Sequence, residues 1–212
     1  MDLYSFFNSS TSYRVRIAMG LKGLDYKFFP INIRIMQQKE PEYVVKNPGA
    51  SVPLLDDDGF QLGQSMAIID YLDSKFPEPR LIPQDLQQRA RVLEISNLVS
   101  CDMHPLNNLR VLRYLIKQMG VSDEKKNEWY AHWIAEGFTS LEAMLVRTGS
   151  GQYCVGGQVS LADCCLVPQA FNALRMKCDM TNYPRIMAVY DYCNTLPAFQ
   201  KAAPSQQPDF QK

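Results

Sequence analysis

The chain has 212 residues, of which 46% are hydrophobic and 21% charged, as in an ordinary globular protein of one or two domains. Lysine plus arginine and aspartate plus glutamate are equal at 22 each, so no net field favours nucleic acid or an anionic membrane as a partner. No apolar run is long enough to cross a bilayer, and the start MDLYSFFNSS lacks the features of a signal peptide. These properties predict a cytoplasmic protein.

The cysteine pattern points the same way. All six cysteines follow residue 100, with neither a C-x-x-C pair nor a metal-ligand spacing, and there are only two histidines. The cysteines are Cys101, Cys154, Cys164, Cys165, Cys178 and Cys193. We therefore expect free thiols in a reducing compartment and no metal site.

The first 80 residues alternate strand and helix signals. DLYSFF (2–7) predicts a strand, and a helical pattern follows from Ser12 to a C-capping Gly23. YKFFPI (26–31) predicts a second strand, and PLL and FQL predict a hairpin around a turn at 58–59. Ser65 is expected to cap the helix SMAIIDYLDSKF. The order β-α-β, an uncertain segment, then β-β-α resembles the thioredoxin-like fold.

A proline-rich segment, PEPRLIP (77–83), predicts a linker between a domain at 1–80 and a second domain at 84–212. Strand signals nearly vanish after the linker, and long helices are predicted over 84–119 and 122–147. Two more are predicted within VSLADCCLVPQAFNALRM and YPRIMAVYDYCNTL, and the tail APSQQPDFQK is expected to be loose. An α/β thioredoxin-like N-terminal domain plus an all-α C-terminal domain resembles the cytosolic glutathione transferase fold.

Four hydroxyl residues, 9–12, stand at the entrance of the first predicted helix. One N-cap pairs only one or two of the four free N–H groups there, and the simplest interpretation is that Ser10 or Ser12 caps while its neighbours form a loop. The alternative is an anion site, in which N–H groups, the helix dipole and several hydroxyls face one negative atom.

The anion could be a phosphate or a thiolate. The glycine-rich loop that wraps a phosphate is missing. A helix N-terminus also lowers the pKa of a thiol, but no cysteine of the chain precedes Cys101. The thiol would therefore arrive on a small molecule, and glutathione is the obvious carrier.

Two further motifs support glutathione as the ligand. SVP (51–53) resembles the cis-proline turn of thioredoxin-like proteins, in which the residue before proline offers its backbone N–H and C=O to an extended peptide. The pair Gln64-Ser65 resembles the one that holds the γ-glutamyl carboxylate at a second helix N-terminus. A tight turn and a plain N-cap are the simpler interpretations, but the three features together favour glutathione binding.

The stretch SSTSYRVRIAM resembles the SSCxWRVRIAL signature of zeta-class glutathione transferases, a family with maleylacetoacetate and maleylpyruvate isomerases among its members. The similarity continues through NPGASVPLL, GQSMAIIDYLD, CDMHPLNNLRVLRYL and SLADCCLVPQ. Within SLAD, Ser160 and Asp163 have capping-box spacing, which supports the fold. The resemblance implies a homodimer that uses glutathione to isomerise a maleyl keto acid in aromatic catabolism.

The resemblance also implies roles for individual residues. Those implied to bind glutathione are Ser9, Ser10, Thr11, Val52, Pro53, Gln64, Ser65, His104 and Asn108. Ser9 and Ser10 would donate hydrogen bonds to the sulfur. Arg175 matches the substrate-side arginine, and Asn8 and Arg110 are further candidates for lining the substrate site. For Arg175, Arg110 and Arg113 the simpler interpretation is a solvated cation or a surface ion pair.

The chain departs from the family pattern at two positions near the first helix. Thr11 replaces a cysteine found in many members, which is dispensable if glutathione supplies the sulfur. Asn8 replaces a common arginine and so removes one cation that could meet a substrate carboxylate. Leu109 matches the maleylacetoacetate enzymes and favours that substrate slightly. Tyr13 is expected to pack, and Arg14 and Arg16 to be structural or interface residues.

These residues suit a cis–trans isomerisation. A bound thiolate adds to the conjugated double bond, the resulting single bond rotates in an enolate-like intermediate, and the thiolate leaves. Ser9 and Ser10 would stabilise the sulfur, and Arg175 the developing negative charge. Alternatives are a general transferase or haloacid dehalogenase that uses the same thiolate, and a non-catalytic scaffold of the same fold.

Overall fold

A computed structural model describes residues 1–211 and divides them into two compact units. The first comprises Met1–Leu81 and the chain from Asn194 onward, and the second comprises Ile82–Cys193. Among the described residues no helix is long and apolar enough to cross a membrane, and no cluster of side chains could hold a metal ion. All six cysteines are free thiols.

The first unit is built on a four-stranded sheet with the order β2-β1-β3-β4. The strands are β1 (Asp2–Ser5), β2 (Lys27–Pro30), β3 (Leu54–Asp57) and β4 (Phe60–Gly63). β1 pairs in parallel with β2 and antiparallel with β3, and β3 forms the predicted hairpin with β4. Three helices accompany the sheet: α1 (Ser10–Leu21), α2 (Pro41–Lys46) and α3 (Ser65–Lys75). The predicted thioredoxin-like arrangement is confirmed, and α2 fills the segment left uncertain.

Two groups of buried side chains hold this unit together. α1 and α3 pack together, with Ile17, Ile68 and Leu72 fully buried. A second buried cluster contains Phe6, Phe7, Tyr43, Val52 and Leu54. Because this cluster includes residues immediately before α1 and at position 52, it holds two parts of the predicted site in place.

The second unit contains five α-helices and no strand among its described residues. The helices are α4 (Leu86–Asn97), α5 (Leu109–Lys117), α6 (Asp123–Thr148), α7 (Leu161–Arg175) and α8 (Pro184–Cys193). The prediction of one helix over 84–119 is wrong in its middle, where a π-helical segment, Leu98–Met103, is followed by a 3₁₀ turn, His104–Asn107. Pro105 has no N–H for an α-helix, and the extended Asn108 then caps α5.

The predicted capping box of α7 is confirmed. The Ser160 backbone N–H donates to the Asp163 carboxylate at 2.7 Å, and the Ser160 hydroxyl donates to the same oxygen at 2.9 Å. The other carboxylate oxygen accepts the N–H of Cys154 at 2.8 Å. Burial raises the pKa of Asp163, while these hydrogen bonds lower it. The motif therefore joins α7 to the segment before it.

The C-terminal chain packs on the first unit rather than with the helical one. Helix α9 (Pro197–Ala202) contacts α1, where Gly20 allows close approach to Ala198, and the Arg16 Nε–H donates to the Ala202 carbonyl at 3.0 Å. The unit boundaries thus differ at this end from the predicted domain 84–212. The expectation of a loose tail is wrong as far as Phe210, since Asp209 accepts the N–H of Phe7 at 3.0 Å and the Phe210 ring packs edge-on against Phe7. Lys212 lies outside the described residues.

Candidate functional site

The hydroxyl cluster lies at the N-terminus of α1, and its capping residue is Ser9. Ser9 has extended backbone angles (φ −85°, ψ 117°), and its Oγ accepts the N–H of Ser12 at 3.2 Å. The interpretation that Ser10 or Ser12 caps is therefore wrong, because both already lie within the helix. Ser9 and Ser10 are 8% and 6% exposed, so their hydroxyls lie at a helix N-terminus largely sheltered from water.

Thr11 connects this N-terminus to the turn at Val52. The Thr11 hydroxyl donates to the Val52 carbonyl oxygen at 2.9 Å, and its oxygen lies 2.9 Å from the Ser9 hydroxyl. Thr11 and Val52 are 41 positions apart in the sequence, yet they are joined directly by a hydrogen bond. The structure thus brings Ser9, Thr11 and Val52 together.

The turn at Val52-Pro53 has a cis peptide bond, as the resemblance implied. The Ser51 carbonyl before it accepts the Tyr43 hydroxyl and the Asn47 side-chain N–H, each at 2.7 Å. Burial raises the pKa of Tyr43 to about 12, so the phenol remains a donor at neutral pH. Two buried side chains therefore fix the position of this turn.

The pair Gln64-Ser65 lies at the N-terminus of α3, but the predicted capping by Ser65 is wrong. Gln64 is the N-cap residue, with φ +68° and no capping hydrogen bond from its side chain, and Ser65 is the first helical residue. The Ser65 hydroxyl is buried and accepts from Arg14 Nη1 at 3.4 Å. Positive φ strains a non-glycine backbone, and such strain is tolerated in turns and at ligand-binding positions.

Arg14 and Arg16 are both about 1% exposed, which agrees with the structural role expected of them. Arg16 donates to the carbonyls of Phe6 and Phe7, which lead into Ser9. Burial lowers the pKa of Arg16 to about 10, so its charge persists at neutral pH. Tyr13 is 2% exposed and packs as predicted, with its hydroxyl 3.5 Å from the Phe199 carbonyl.

Two polar residues between β2 and α2 were not among the predicted site residues. Gln38 is 9% exposed, and its buried Oε1 has no hydrogen-bond donor among the described residues. It lies in the segment whose structure the sequence left uncertain. The Arg34 guanidinium lies 5.1 Å from the ring centroid of Phe7, the residue that precedes the half-buried Asn8 in the sequence. A single arginine within a turn gives no sequence signal for this placement.

Within the second unit the structure brings His104 and Asn108 together. The side-chain N–H of Asn108 donates to His104 Nε2 at 3.2 Å, which places the ring proton on Nδ1. The Asn108 oxygen accepts the N–H of Arg110 at the start of α5. Both residues are half-buried in the break between α4 and α5. The break that the sequence analysis missed therefore carries two of the predicted residues.

Arg110 and Arg175 are both exposed. Arg175, the last residue of α7, lies near the buried phenol of Tyr130. Burial raises the Tyr130 pKa to about 12, and the positive charge of Arg175 partly opposes this shift. The Arg175 guanidinium also lies 3.5 Å from the Asn172 side-chain oxygen. One end of the cation is therefore held, while the rest faces solvent.

Comparison with known proteins gives matches over nearly the whole chain. Residues 3–80 match the family model described as the glutathione S-transferase N-terminal domain, and residues 109–202 match the C-terminal domain. A probable maleylacetoacetate isomerase of Vibrio cholerae is 45% identical over 209 residues, which is 98% of this chain and 97% of the relative.

Two solved structures are also similar. One is described as a holo maleylpyruvate isomerase, a bacterial glutathione S-transferase of the zeta class; it has a TM-score of 0.97, with 42% identity and full coverage of both chains. The other is a maleylacetoacetate isomerase from Methylobacterium extorquens AM1 with bound malonate and glutathione. Its TM-score is 0.93, with 32% identity and full coverage of both chains.

Proposed function

Since the chain belongs to the glutathione S-transferase family, and within it to the zeta class, we propose that it is a glutathione-dependent cis–trans isomerase of a maleyl keto acid. The observation that carries the proposal is the hydrogen-bonded chain Ser9–Thr11–Val52, which joins a hydroxyl-rich helix N-terminus to a cis-proline turn. One part suits a thiolate, and the other suits the peptide backbone that carries it.

Glutathione binds, in this proposal, along the first unit. Val52 offers its backbone to the cysteinyl residue, and Pro53 keeps the turn that exposes it. Gln64 and Ser65 hold the γ-glutamyl carboxylate at the N-terminus of α3, where the helix dipole favours an anion. Arg14, buried behind the Ser65 hydroxyl, adds a positive charge to this end.

The sulfur lies at the N-terminus of α1, near Ser9 and Ser10. Helix N-termini lower thiol pKa values, and each pKa unit corresponds to about 1.4 kcal/mol of preference for the thiolate. The buried Arg16 beneath the segment before Ser9 adds to the same field. Because Ser9 and Ser10 are largely buried, the interaction with the sulfur is stronger than it would be in water.

The thiolate then adds to one alkene carbon, and the π electrons move to the conjugated carbonyl to give an enolate. Rotation about the new single bond is followed by return of the electrons and departure of the thiolate, so no glutathione is consumed. No external base is needed, because the sulfur adds as a thiolate and departs as a thiolate. The negative charge of the enolate needs a nearby cation, for which we propose Arg175.

The remaining predicted residues belong to the same proposal. His104 and Asn108 contribute to glutathione binding, and Asn8 and Arg110 to the substrate side. The Methylobacterium extorquens relative is described with bound malonate and glutathione, and malonate is a dicarboxylate, as is a maleyl keto acid. Leu109, the first residue of α5, favours maleylacetoacetate over maleylpyruvate, and we adopt maleylacetoacetate as the substrate.

We further propose a cytoplasmic homodimer. The six free cysteines support a reducing compartment, and the resemblance to the family supports the dimer. Sedimentation is expected to give a species of about twice the 24.2 kDa chain mass. A single species at the mass of one chain would exclude the dimer.

The activity is tested with maleylacetoacetate and maleylpyruvate, each with and without catalytic amounts of glutathione. Coupling to the matching fumaryl hydrolase follows the loss of the cis compound. We expect turnover only with glutathione, and faster turnover of maleylacetoacetate. Faster turnover of maleylpyruvate would replace maleylacetoacetate as the proposed substrate and leave the proposed isomerisation unchanged.

Two other outcomes correspond to the other hypotheses. Net consumption of glutathione, or halide release from a haloacid, indicates a general transferase or dehalogenase that uses the same thiolate. Glutathione binding with no reaction of any of these compounds, unaffected by Ser10→Ala, indicates a scaffold protein. The hydrogen bonds that join Ser9, Thr11 and Val52 are intact, which argues against the scaffold, because a site that had lost its function would not be expected to keep them.

A further inference from the structure

The direction of the hydrogen bonds around Thr11 follows from a count of protons. A threonine hydroxyl has one proton, and a carbonyl oxygen can only accept. Thr11 therefore uses its proton on the Val52 carbonyl, 2.9 Å away. In the contact between Ser9 Oγ and Thr11 Oγ1, also 2.9 Å, the donor must consequently be Ser9.

This arrangement leaves Ser9 poorly suited to a thiolate. Its single proton points to Thr11, and its oxygen already accepts the N–H of Ser12 at 3.2 Å. Only a lone pair of Ser9 remains for a ligand, and a lone pair repels an anion. Ser9 can stabilise a thiolate only after its proton turns away from Thr11.

We propose that Thr11 is a positioning residue that turns the Ser9 proton towards the sulfur when glutathione binds at Val52. The inference rests on the proposed function. The cysteinyl N–H of glutathione donates to the Val52 carbonyl, which then keeps a hydrogen-bond donor when the Thr11 hydroxyl turns away. The Thr11 hydroxyl rotates to donate to Ser9 Oγ, and the Ser9 hydroxyl rotates to donate to the sulfur. Both hydroxyl groups only rotate, and no proton is transferred from one oxygen to another.

The chemistry favours this rotation once the thiolate is present. A hydrogen bond to an anion is about twice as strong as one between neutral groups, so the Ser9 proton prefers the sulfur to Thr11. Successive hydroxyl donors also polarise one another, so a Ser9 hydroxyl that accepts from Thr11 is a better donor. Recognition of the peptide backbone at Val52 is thereby coupled to stabilisation of the thiolate at α1.

The test is the pKa of the bound glutathione thiol, measured from its thiolate absorbance in the ultraviolet as a function of pH. Thr11→Val keeps the shape of the side chain without its hydroxyl and is expected to raise that pKa by about one unit. Thr11→Ser is expected to restore the wild-type value, and Thr11→Cys, with a weak S–H donor, to give a smaller rise. Thr139→Val on α6, an exposed threonine of similar hydrogen bonding, is the matched control and is expected to change nothing.

A double-mutant comparison separates this role from a structural one. If Thr11 acts through Ser9, then Thr11→Val is expected to cause no further rise of the thiol pKa in a Ser9→Ala background. Equal shifts in both backgrounds, or a thiol pKa that is the same in Thr11→Val and wild type, would overturn the inference. If Thr11→Val fails to fold or to bind glutathione, an unshifted Thr11→Cys overturns it. A wild-type protein that binds no glutathione would overturn the proposed function as well, whereas the other outcomes leave that function intact.

Discussion

The Arg16 guanidinium donates a 3.0 Å hydrogen bond to the carbonyl oxygen of Phe7, two residues before the serine that caps α1. The same guanidinium donates to the Phe6 carbonyl at 3.3 Å, and that carbonyl also accepts the backbone N–H of Ser9 at 3.0 Å. A buried cation on α1 therefore fixes the path by which the chain enters α1. The position of the proposed sulfur site depends on this interior residue.

Substitution of Arg16 is expected to destabilise the protein strongly. Arg16→Gln leaves several buried acceptors without donors, and we expect the free energy of unfolding to fall by roughly 3 kcal/mol. Arg16→Lys keeps the charge but loses the fork of donors, with an expected loss of about 1–2 kcal/mol. Urea unfolding measures both, with the exposed Arg91→Gln as control at about 0.5 kcal/mol or less. Equal stability of Arg16→Gln and Arg91→Gln would show that the buried guanidinium contributes nothing.

Ser9 and Ser10 are expected to differ in what they contribute. Ser9→Ala removes the N-cap and should cost about 1 kcal/mol of unfolding free energy. Either substitution removes one donor to the sulfur, and we expect kcat to fall by about 10²–10³-fold. Ser10→Ala is expected to cost less stability than Ser9→Ala, because Ser10 is not the cap. Wild-type kcat in both variants would exclude the hydroxyl cluster from the reaction.

Because Gln64 has a positive φ, its substitution by glycine should raise stability while weakening glutathione binding. Gln64→Gly relieves the backbone strain and should raise the unfolding free energy by about 1 kcal/mol, whereas Gln64→Ala keeps the strain. Both variants lose the side-chain amide and are expected to bind glutathione more weakly. Asp58→Gly is the matched control, since Asp58 also has positive φ, at 54°, but lies in the turn between β3 and β4. Calorimetric titration with unchanged affinity in Gln64→Ala would remove Gln64 from the site.

Arg175 is expected to act on the substrate and not on stability or glutathione. Arg175→Ala should lower kcat/KM for the keto acid by at least about tenfold, while Arg175→Lys retains part of the activity because the charge is kept. Since the side chain is exposed, unfolding free energy should change by less than about 0.5 kcal/mol. Lys125→Ala, which removes an exposed cation on α6, serves as the control for net charge. A kcat/KM equal to that of this control would assign Arg175 to the solvated surface.

Asp57 gives the first unit a defined dependence on pH. The carboxylate accepts from Lys75 and from the Tyr71 hydroxyl, and these two hydrogen bonds lower the pKa of Asp57 below its ordinary 3.8. A lowered pKa in the folded state means that the stabilisation is present above pH 3.8 and is lost as the pH falls through the lowered value.

Asp57→Asn is therefore expected to be less stable than the wild type at neutral pH, by about 1–2 kcal/mol, and to approach it in acid. Urea unfolding across that pH range tests this, with the exposed Asp123→Asn as control. A penalty for Asp57→Asn that is the same in acid as at neutral pH would contradict the assignment.

Much of the fold could be predicted because its signals are local. The alternation of strands and helices in the first 80 residues, the Asp58-Gly59 turn and the Ser160–Asp163 capping box each lie within a few residues of sequence. The break at 104–108 was missed because the apolar periodicity continues through Pro105. The capping role of Ser9 was missed because four adjacent hydroxyl residues are nearly equivalent caps, and only the backbone angles choose among them.

The rest of the candidate site depends on contacts between distant positions. Phe7 and Asp209 are 202 residues apart, and Arg16 contacts the Ala202 carbonyl 186 residues away. Gln38 follows Met36, whose backbone is left-handed (φ 69°). Glycine is the usual sequence signal for that conformation, and it is absent at this position. Packing fixes these relationships, and no local pattern carries them.

Recovery of glutathione after many turnovers distinguishes an isomerase from a transferase. The purified protein is supplied with maleylacetoacetate in large excess over glutathione, and the reaction is followed to completion. We expect full conversion to the trans isomer, with all of the glutathione recovered as the free thiol. Conversion that stops after one equivalent, with glutathione found as a stable adduct, would contradict an isomerase and leave a transferase.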